Sequence, residues 1–172
     1  MSKDIVEKIV ITERMVFDAK KECYDQTFEK INLSQKTLLS KVFENCKFIK
    51  CNFSETDFQK CRFCDCVFER CNLSVIKVKG CSFNNVEFSE SKVTGVNWTE
   101  AAWPRIKLAC PIRFVKCDIS HSTFFGLNLR EISIVECKIN DVDFREADLT
   151  KANLTYSDFM ESMFINSNLT EA

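Results

Sequence analysis

The chain has 172 residues, which suits one domain with a substantial core. Its 24 basic and 25 acidic residues leave a net charge of −1, so global charge predicts neither attraction to nucleic acid nor repulsion from it. No apolar run is long enough to cross a membrane, and the N-terminus has no signal-peptide core. Eleven cysteines in such a chain favour free thiols in a reducing cytoplasm.

Residues 1–25 precede the regular pattern of the chain and are predicted to cap it. Asp4 and Glu7 offer a helix start, whereas the stretch IVITERMVF could equally form a strand. Both conformations therefore stay open for the cap segment.

From Phe28 onward, large apolar residues recur every five positions as far as Leu169, with a one-residue slip near 109–111. Fourteen of the 16 Phe lie on the 29 positions of this series. Its members are Phe28, Leu33, Leu38, Phe43, Phe48, Phe53, Phe58, Phe63, Phe68, Leu73, Val78, Phe83, Phe88, Val93, Trp98, Trp103, Leu108, Phe114, Ile119, Phe124, Leu129, Ile134, Ile139, Phe144, Leu149, Leu154, Phe159, Phe164 and Leu169.

A smaller side chain stands two residues before each large one, often with Asn or Asp between them, as in CNF, TDF and CDI. A helix needs apolar spacings of three and four, and an amphipathic strand needs two, so a period of five fits neither. It fits a chain that points two side chains inward and turns a corner every five residues. Four such sides close a square coil, and about seven coils would stack roughly 4.8 Å apart. A hexapeptide β-helix is disfavoured because its period would be six.

The pattern resembles the pentapeptide-repeat family, whose motif is roughly A(D/N)LXX. The nearest matches are ADLTK at 147–151 and ANLTY at 152–156. The resemblance covers about residues 26–172 and implies an all-β fold, a right-handed quadrilateral β-helix. A rod filled at its centre offers no pocket, so no catalytic residue, cofactor site or metal site is predicted, and the protein is not expected to be an enzyme.

Eight cysteines occupy the small inward position and are predicted to be core rather than metal ligands or disulfides. Neighbours within a coil lie on different faces, which prevents tetrahedral convergence on zinc, and stacked pairs suit disulfide torsions poorly. They are Cys46, Cys51, Cys61, Cys66, Cys71, Cys81, Cys117 and Cys137. Cys23, Cys64 and Cys110 fall off the inward positions and are expected to be more accessible, and His121 is expected to be a surface residue.

Regular coils are predicted to begin near Cys46. The small inward position holds Lys36 and Lys41 before that point, and a dry core would not accept an unpaired ammonium group.

The stretch around the slip is the first candidate interaction site. Trp103, Pro104, Arg105 and Pro111 lie there, and a proline without an N–H donor belongs at a bulge or a corner. The slip is either a binding loop or a neutral bulge.

The last coil is the second candidate site. Its apolar cross-section would have no further coil to cover it, so we expect a homodimer joined through Phe159, Met160, Met163, Phe164 and Leu169. Residues 136–172 carry 8 acidic and 3 basic groups, and this like charge opposes such a contact. The charged side chains can, however, point sideways into water.

These features predict a protein-binding or scaffold rod with a protein partner, and neither a nucleic-acid ligand nor a membrane. Resemblance to the Qnr-type quinolone-resistance proteins implies an alternative. In this alternative the protein would act as a DNA mimic: a rod of DNA-like width occupies the DNA groove of gyrase or topoisomerase IV, with carboxylates placed where phosphates would lie.

Overall fold

The computed structural model describes residues 22–104 and 110–172. These residues form short extended segments and turns, with a single turn of 3₁₀ helix at Trp98–Glu100. The strands are β1 (Glu22–Tyr24), β2 (Thr27–Glu29), β3 (Thr37–Leu39), β4 (Val42–Glu44), β5 (Lys47–Ile49), β6 (Asp57–Gln59), β7 (Arg62–Cys64), β8 (Val67–Glu69), β9 (Ser82–Asn84), β10 (Val86–Ser89), β11 (Ile112–Val115) and β12 (Ser133–Val135).

Each strand pairs in parallel with the segment one coil away. Thr27 pairs with Lys47, and Lys47 with Val67, so a coil advances by twenty residues. One face is a six-stranded sheet of order β12-β11-β10-β8-β5-β2, a second is the sheet β1-β4-β7-β9, and a third contains β3 and β6. Single bridges such as Asn32 to Asn52 connect the fourth face. The chain is therefore the predicted right-handed quadrilateral β-helix.

The regular strand ladder is slightly shorter than the predicted seven coils. The longest sheet has six strands, and the next level on that face is a single bridge between Ser133 and Asn153. The repeats after β12 turn more tightly, which leaves one bridging residue on a side instead of a three-residue strand.

The prediction that regular coils begin near Cys46 is wrong. β1, β2 and β3 already pair with strands of the following coil. Lys36 is exposed and Lys41 is half-buried, because in this first coil the long side chains can keep their ammonium groups in water. Residues 22–25 thus belong to the coils, and the rest of the predicted cap segment lies outside the described residues.

The large residues of the series fill the interior. From Phe28 to Trp98 each is at most 9% exposed. The rings of Phe28 and Phe48 stack with centroids 4.9 Å apart, and those of Phe48 and Phe68 at 4.6 Å. The ring of Phe43, on the adjacent face, meets Phe48 edge-on at 76°. Both arrangements suit the aromatic quadrupole, so the core gains from ring geometry as well as from burial.

The Asn or Asp between the two inward positions closes the following corner. Asn52 Oδ1 accepts a hydrogen bond from the Ser54 backbone N–H at 3.1 Å, and the Thr56 N–H donates to the Phe53 carbonyl at 2.9 Å. This is an Asx turn, which explains the polar residue of the motif. The same side-chain bond is made by Asn32, Asn72, Asn97, Asp118, Asn128, Asp143, Asp148, Asn153, Asp158 and Asn168.

Corner residues adopt positive φ angles even where they are not glycine. Lys50 has a φ of 53°, and its N–H donates to the Glu69 carbonyl of the next coil at 2.9 Å. Such bonds offset the steric cost of the left-handed conformation, about 1–2 kcal/mol per residue. Corner side chains therefore point outward, in columns that run along the rod.

Among the described residues, no helix has the length and apolar character needed to cross a membrane.

Candidate interaction surfaces

The eight cysteines predicted to be core are at most 3% exposed. Seven of these thiols donate to main-chain carbonyls of the preceding coil, as Cys51 does to Phe28 at 3.4 Å and Cys71 does to Phe48 at 3.2 Å. The Cys137 thiol donates instead to the Val135 carbonyl of its own coil at 3.2 Å. The hydrogen bond shared with Cys51, together with burial, raises the pKa of Cys71 above its ordinary value. These thiols therefore act as small buried donors that tie neighbouring coils together.

Cys23, Cys64 and Cys110 are half-buried, so they are more accessible than the other eight, as predicted. The prediction that Cys23 lies off the inward positions is wrong, because Cys23 pairs in register with the core residue Phe43. No group of three potential metal-ligating side chains occurs within residues 22–104 and 110–172. His121 is exposed and its Nδ1 lies 3.1 Å from Asp141 Oδ2 in the next coil.

The first candidate site surrounds a coil that is longer than the others. Val86 pairs with Ile112, a step of 26 residues instead of twenty, so this coil holds one extra repeat together with the one-residue slip. Trp103 is half-buried and its Nε1 donates to the Trp98 carbonyl at 2.7 Å.

The two prolines of this site differ in burial. Pro104 is exposed, while Pro111 is buried and its carbonyl accepts from the Val86 N–H at 2.9 Å. Arg105 lies outside the described residues. The structure thus assigns Trp103 and Pro111 mainly to packing, and Pro104 to the outward surface.

The second candidate site, in the last coil, has more exposed large apolar residues than any earlier coil of the described part of the chain. Phe159 and Phe164 are half-buried, with ring centroids 5.7 Å apart. Met160, Met163 and Leu169 are exposed. In the first coil, by contrast, the equivalent core residues are almost completely buried.

One coil carries a carboxylate at each of its four corners. These corners are Glu131, Glu136, Asp141 and Glu146, all exposed and all with positive φ. The Lys116 ammonium lies 3.7 Å from the Glu136 carboxylate, so part of this charge is balanced by the preceding coil. We call these four residues the acidic ring.

Sequence reasoning missed an exposed aromatic residue, Phe125. It points outward next to the core residue Phe124 and is the one Phe classed as exposed in the described part of the chain. The available signal was its position off the five-residue series, which only Phe17 shares among the phenylalanines.

The geometry defines a class, the β-solenoids built from five-residue repeats. The model of the pentapeptide repeat region matches residues 41–110 and 104–172. Since these matches cover most of the chain, the protein belongs to the pentapeptide-repeat family.

Solved structures with the same kind of coil include three that differ widely in source. QnrB1, a plasmid-mediated fluoroquinolone resistance protein, is 17% identical, with 88% of this chain and 78% of QnrB1 covered and a TM-score of 0.40. A pentapeptide-repeat protein of the Arabidopsis thaliana thylakoid lumen is 16% identical over 70% of this chain and 75% of its own, with a TM-score of 0.44. Rfr23 of the cyanobacterium Cyanothece 51142 is 10% identical over 88% and 95%, with a TM-score of 0.38. No curated protein matches the chain.

Proposed function

We propose that the protein is a non-enzymatic rod that binds or scaffolds a protein partner through its outward side chains. The filled interior carries this proposal. The apolar cavity among the first coils measures about 10 Å³, close to the space of a single water molecule. Small-molecule sites usually enclose some 300–1,000 Å³, so recognition is assigned to the outer surface. The proposed setting is a reducing cytoplasm, in which all eleven thiols would stay free.

Site-specific photo-crosslinking in cells tests the proposal. A photoreactive phenylalanine analogue would replace one outward residue on each face of the C-terminal part: Thr155, Met160, Ile165 and Thr170, all exposed. Further outward positions along each face would extend the scan. The same analogue at the buried Phe58 is the control. We expect discrete protein adducts at outward positions and none at Phe58, whereas a scan without adducts on any face would refute the function.

A second copy of the chain is one proposed partner. The exposed Met160, Met163 and Leu169, beside the half-buried Phe159 and Phe164, form an apolar end that two-fold pairing would cover. Methionine side chains adapt to such contacts. Glu161 and Glu171 near this end sit at corners and point sideways, and the exposed Asp158 accepts a hydrogen bond from the Met160 N–H at 3.2 Å. We propose that apolar burial outweighs the repulsion of these charges.

The acidic ring favours a second candidate function, the DNA mimic. Four carboxylates around one coil could take the place of DNA phosphates in a basic groove of a type II topoisomerase. The test is DNA gyrase supercoiling with added protein, with and without a quinolone. If the protein is a DNA mimic, we expect it to alter supercoiling or to rescue supercoiling from the drug. The double variant Glu131→Gln and Glu146→Gln should weaken this effect. Unchanged supercoiling at micromolar protein would remove this candidate.

A further inference from the structure

An exposed column on one face of the rod combines apolar and cationic groups. Phe125, Arg145 and Ile165 occupy the same outward position in three successive coils, and we call them the Phe125 column. Phe125 is 41% exposed and Ile165 is 63% exposed. The Arg145 guanidinium carbon lies 5.6 Å from the centroid of the Phe125 ring. The column therefore offers two apolar side chains with a planar cation between them.

Asp143 holds this cation in place. Its two carboxylate oxygens accept hydrogen bonds from Arg145 Nε at 2.9 Å and Nη2 at 2.8 Å. The bond to Asp143 raises the pKa of the guanidinium, whose charge is already balanced within the pair. Arg145 thus presents an ordered, flat face rather than a mobile charge, and ordered arginine and aromatic groups are the residues on which interface energy concentrates.

The turn itself does not require these apolar residues. At the same position in other tight repeats a hydroxyl side chain caps the turn, as when Thr155 Oγ1 donates to Asn153 Oδ1 at 2.9 Å. In the Phe125 repeat, Thr123 Oγ1 accepts the Phe125 N–H at 3.3 Å, as Asn153 Oδ1 accepts the Thr155 N–H at 3.2 Å, so the corner closes without a side-chain bond from position 125. The Phe125 ring is left facing solvent with no role in closing the corner.

The charges that flank the column are acidic. Asp141 and Glu161 lie at the corners on one side, and Glu146 lies at the corner on the other, all of them exposed. A partner that covers the column would meet these carboxylates at its rim. Charge complementarity therefore requires a basic partner.

The spacing suggests the form of this partner. Coils repeat about every 4.8 Å, so Phe125 and Ile165 are separated by two steps, or about 10 Å along the rod. Helix residues i and i+7 are separated by about 10.5 Å along the helix axis, and those three or four apart by about 5 Å. A helix parallel to the rod would match the column residue by residue.

We propose that the Phe125 column binds a basic amphipathic helix of a partner protein, aligned with the rod axis. Apolar side chains at i and i+7 would contact Phe125 and Ile165, and the residue between them would pack on Arg145. Lysine or arginine side chains beside this stripe would meet Asp141, Glu146 and Glu161. This inference rests on the proposed protein-binding function and specifies one partner chemistry for it.

The test uses the full chain and a synthetic probe. The probe is an 18-residue helix-stabilised peptide with Phe at i, Leu at i+7 and lysines along both sides of the stripe, and a charge-reversed peptide carries Glu in place of Lys. Fluorescence anisotropy gives the affinity of each. The variant Phe125→Ser introduces a residue of the type common at this position, and its melting temperature is recorded beside the wild type.

The matched control is Leu39→Ser. Leu39 lies in the same column of the rod near its other end and is 58% exposed. Its surroundings hold one exposed carboxylate, Glu55, together with the exposed Lys60 and Lys79, so the acidic rim of the Phe125 column is missing there. We expect the basic peptide to bind, with Phe125→Ser weakening its affinity about tenfold or more and Leu39→Ser leaving it unchanged. The charge-reversed peptide should bind far more weakly.

Three results would overturn the inference: no binding of the basic peptide, equal binding by Phe125→Ser, or equal binding of the charge-reversed peptide. Photo-crosslinks to a protein on another face, together with any of these results, would leave the binding-rod function standing and remove only this site. A scan without crosslinks on any face would remove the function itself.

Discussion

Within one repeat, adjacent residues can differ completely in burial, one side chain lying in the core and the next pointing outward. The Phe58 side chain is buried among rings of the same coil, with Phe53 at 5.8 Å and Phe63 at 5.5 Å between centroids. The next residue, Gln59, points outward and donates from Nε2 to Asp57 Oδ2 at 2.7 Å. The contribution of a residue to stability is therefore set by its place in the five-residue beat.

Truncation of Phe58 should be costly because a stacked solenoid cannot collapse sideways into the hole. We expect Phe58→Ala to lower the free energy of unfolding by about 3–5 kcal/mol. Gln59→Ala should lower it by about 0.5 kcal/mol or less. Urea unfolding followed by circular dichroism measures both, and equal losses would show that the register of the coils is wrong.

The Asn and Asp turn caps should contribute measurably to stability. Removing the side-chain acceptor with Asn52→Ala leaves the Ser54 N–H without its partner, and we expect a loss of about 1 kcal/mol. Lys47 holds the equivalent position in a repeat that forms a strand, β5, so Lys47→Ala should cost only a few tenths of a kcal/mol. Similar losses from the two variants, measured by urea unfolding, would mean that the side-chain bond is not what closes the corner.

Cys64 should show slow and pH-dependent alkylation. Burial and the nearby Asp65 carboxylate, 3.2 Å from Sγ, raise the pKa of this thiol. Less thiolate is then present at neutral pH, so labelling by iodoacetamide should accelerate as pH rises through the raised pKa. Asp65→Asn removes the charge and should move the rate profile to lower pH. Mass spectrometry locates the label, and buried Cys81 should stay unlabelled until unfolding. An unchanged profile in Asp65→Asn would exclude the carboxylate as a cause.

At the scale of elements, the sequence predicted the four faces of each coil, but it did not predict that one coil is six residues longer than the others. Every fifth residue must be large to fill the interior, so the pattern records position within a repeat. An insertion of five residues leaves this pattern in step, because it adds one complete repeat. The pattern therefore shows only by how many residues an insertion differs from a multiple of five. A slip of one residue and an insertion of six, as between Val86 and Ile112, therefore leave the same pattern.

Other elements depended on context that the pattern does not contain. Lys36 and Lys41 stand at inward positions yet belong to a paired coil, because an end coil lets long side chains reach water. Phe125 is apolar without being core, and its exposure follows from the direction of one side chain. Pattern reasoning thus recovers the interior well and the surface, where the candidate sites lie, only in part.

The first coil allows a prediction about residues 1–21. Phe28, Leu33 and Leu38 are buried although their coil is the first described, whereas the last coil exposes its apolar residues. We propose that residues 1–21 cover the first coil. Their deletion should expose apolar surface and cause aggregation, seen by light scattering together with increased binding of a hydrophobic dye. A truncated protein that stays monodisperse and as stable as the full chain would disprove the cover.

For the whole molecule, the two ends of the rod differ. The first coil buries its large residues, and the last coil leaves Met160, Met163 and Leu169 exposed. Carboxylates surround the rod in the acidic ring, and the Phe125 column adds an apolar strip on one face. We therefore propose that association takes place at the C-terminal coils and their outer surface, while the buried interior holds the coils together.

Sedimentation equilibrium of the full chain at about 10 μM tests this assignment most directly, because dimerisation by mass action would be visible there. We expect a homodimer that Phe164→Glu or the more exposed Met160→Glu converts into a folded monomer. Gln59→Glu, far from the last coil, should leave the dimer intact. A wild-type monomer at this concentration, or a dimer that both C-terminal variants preserve, would contradict association through the C-terminal coil.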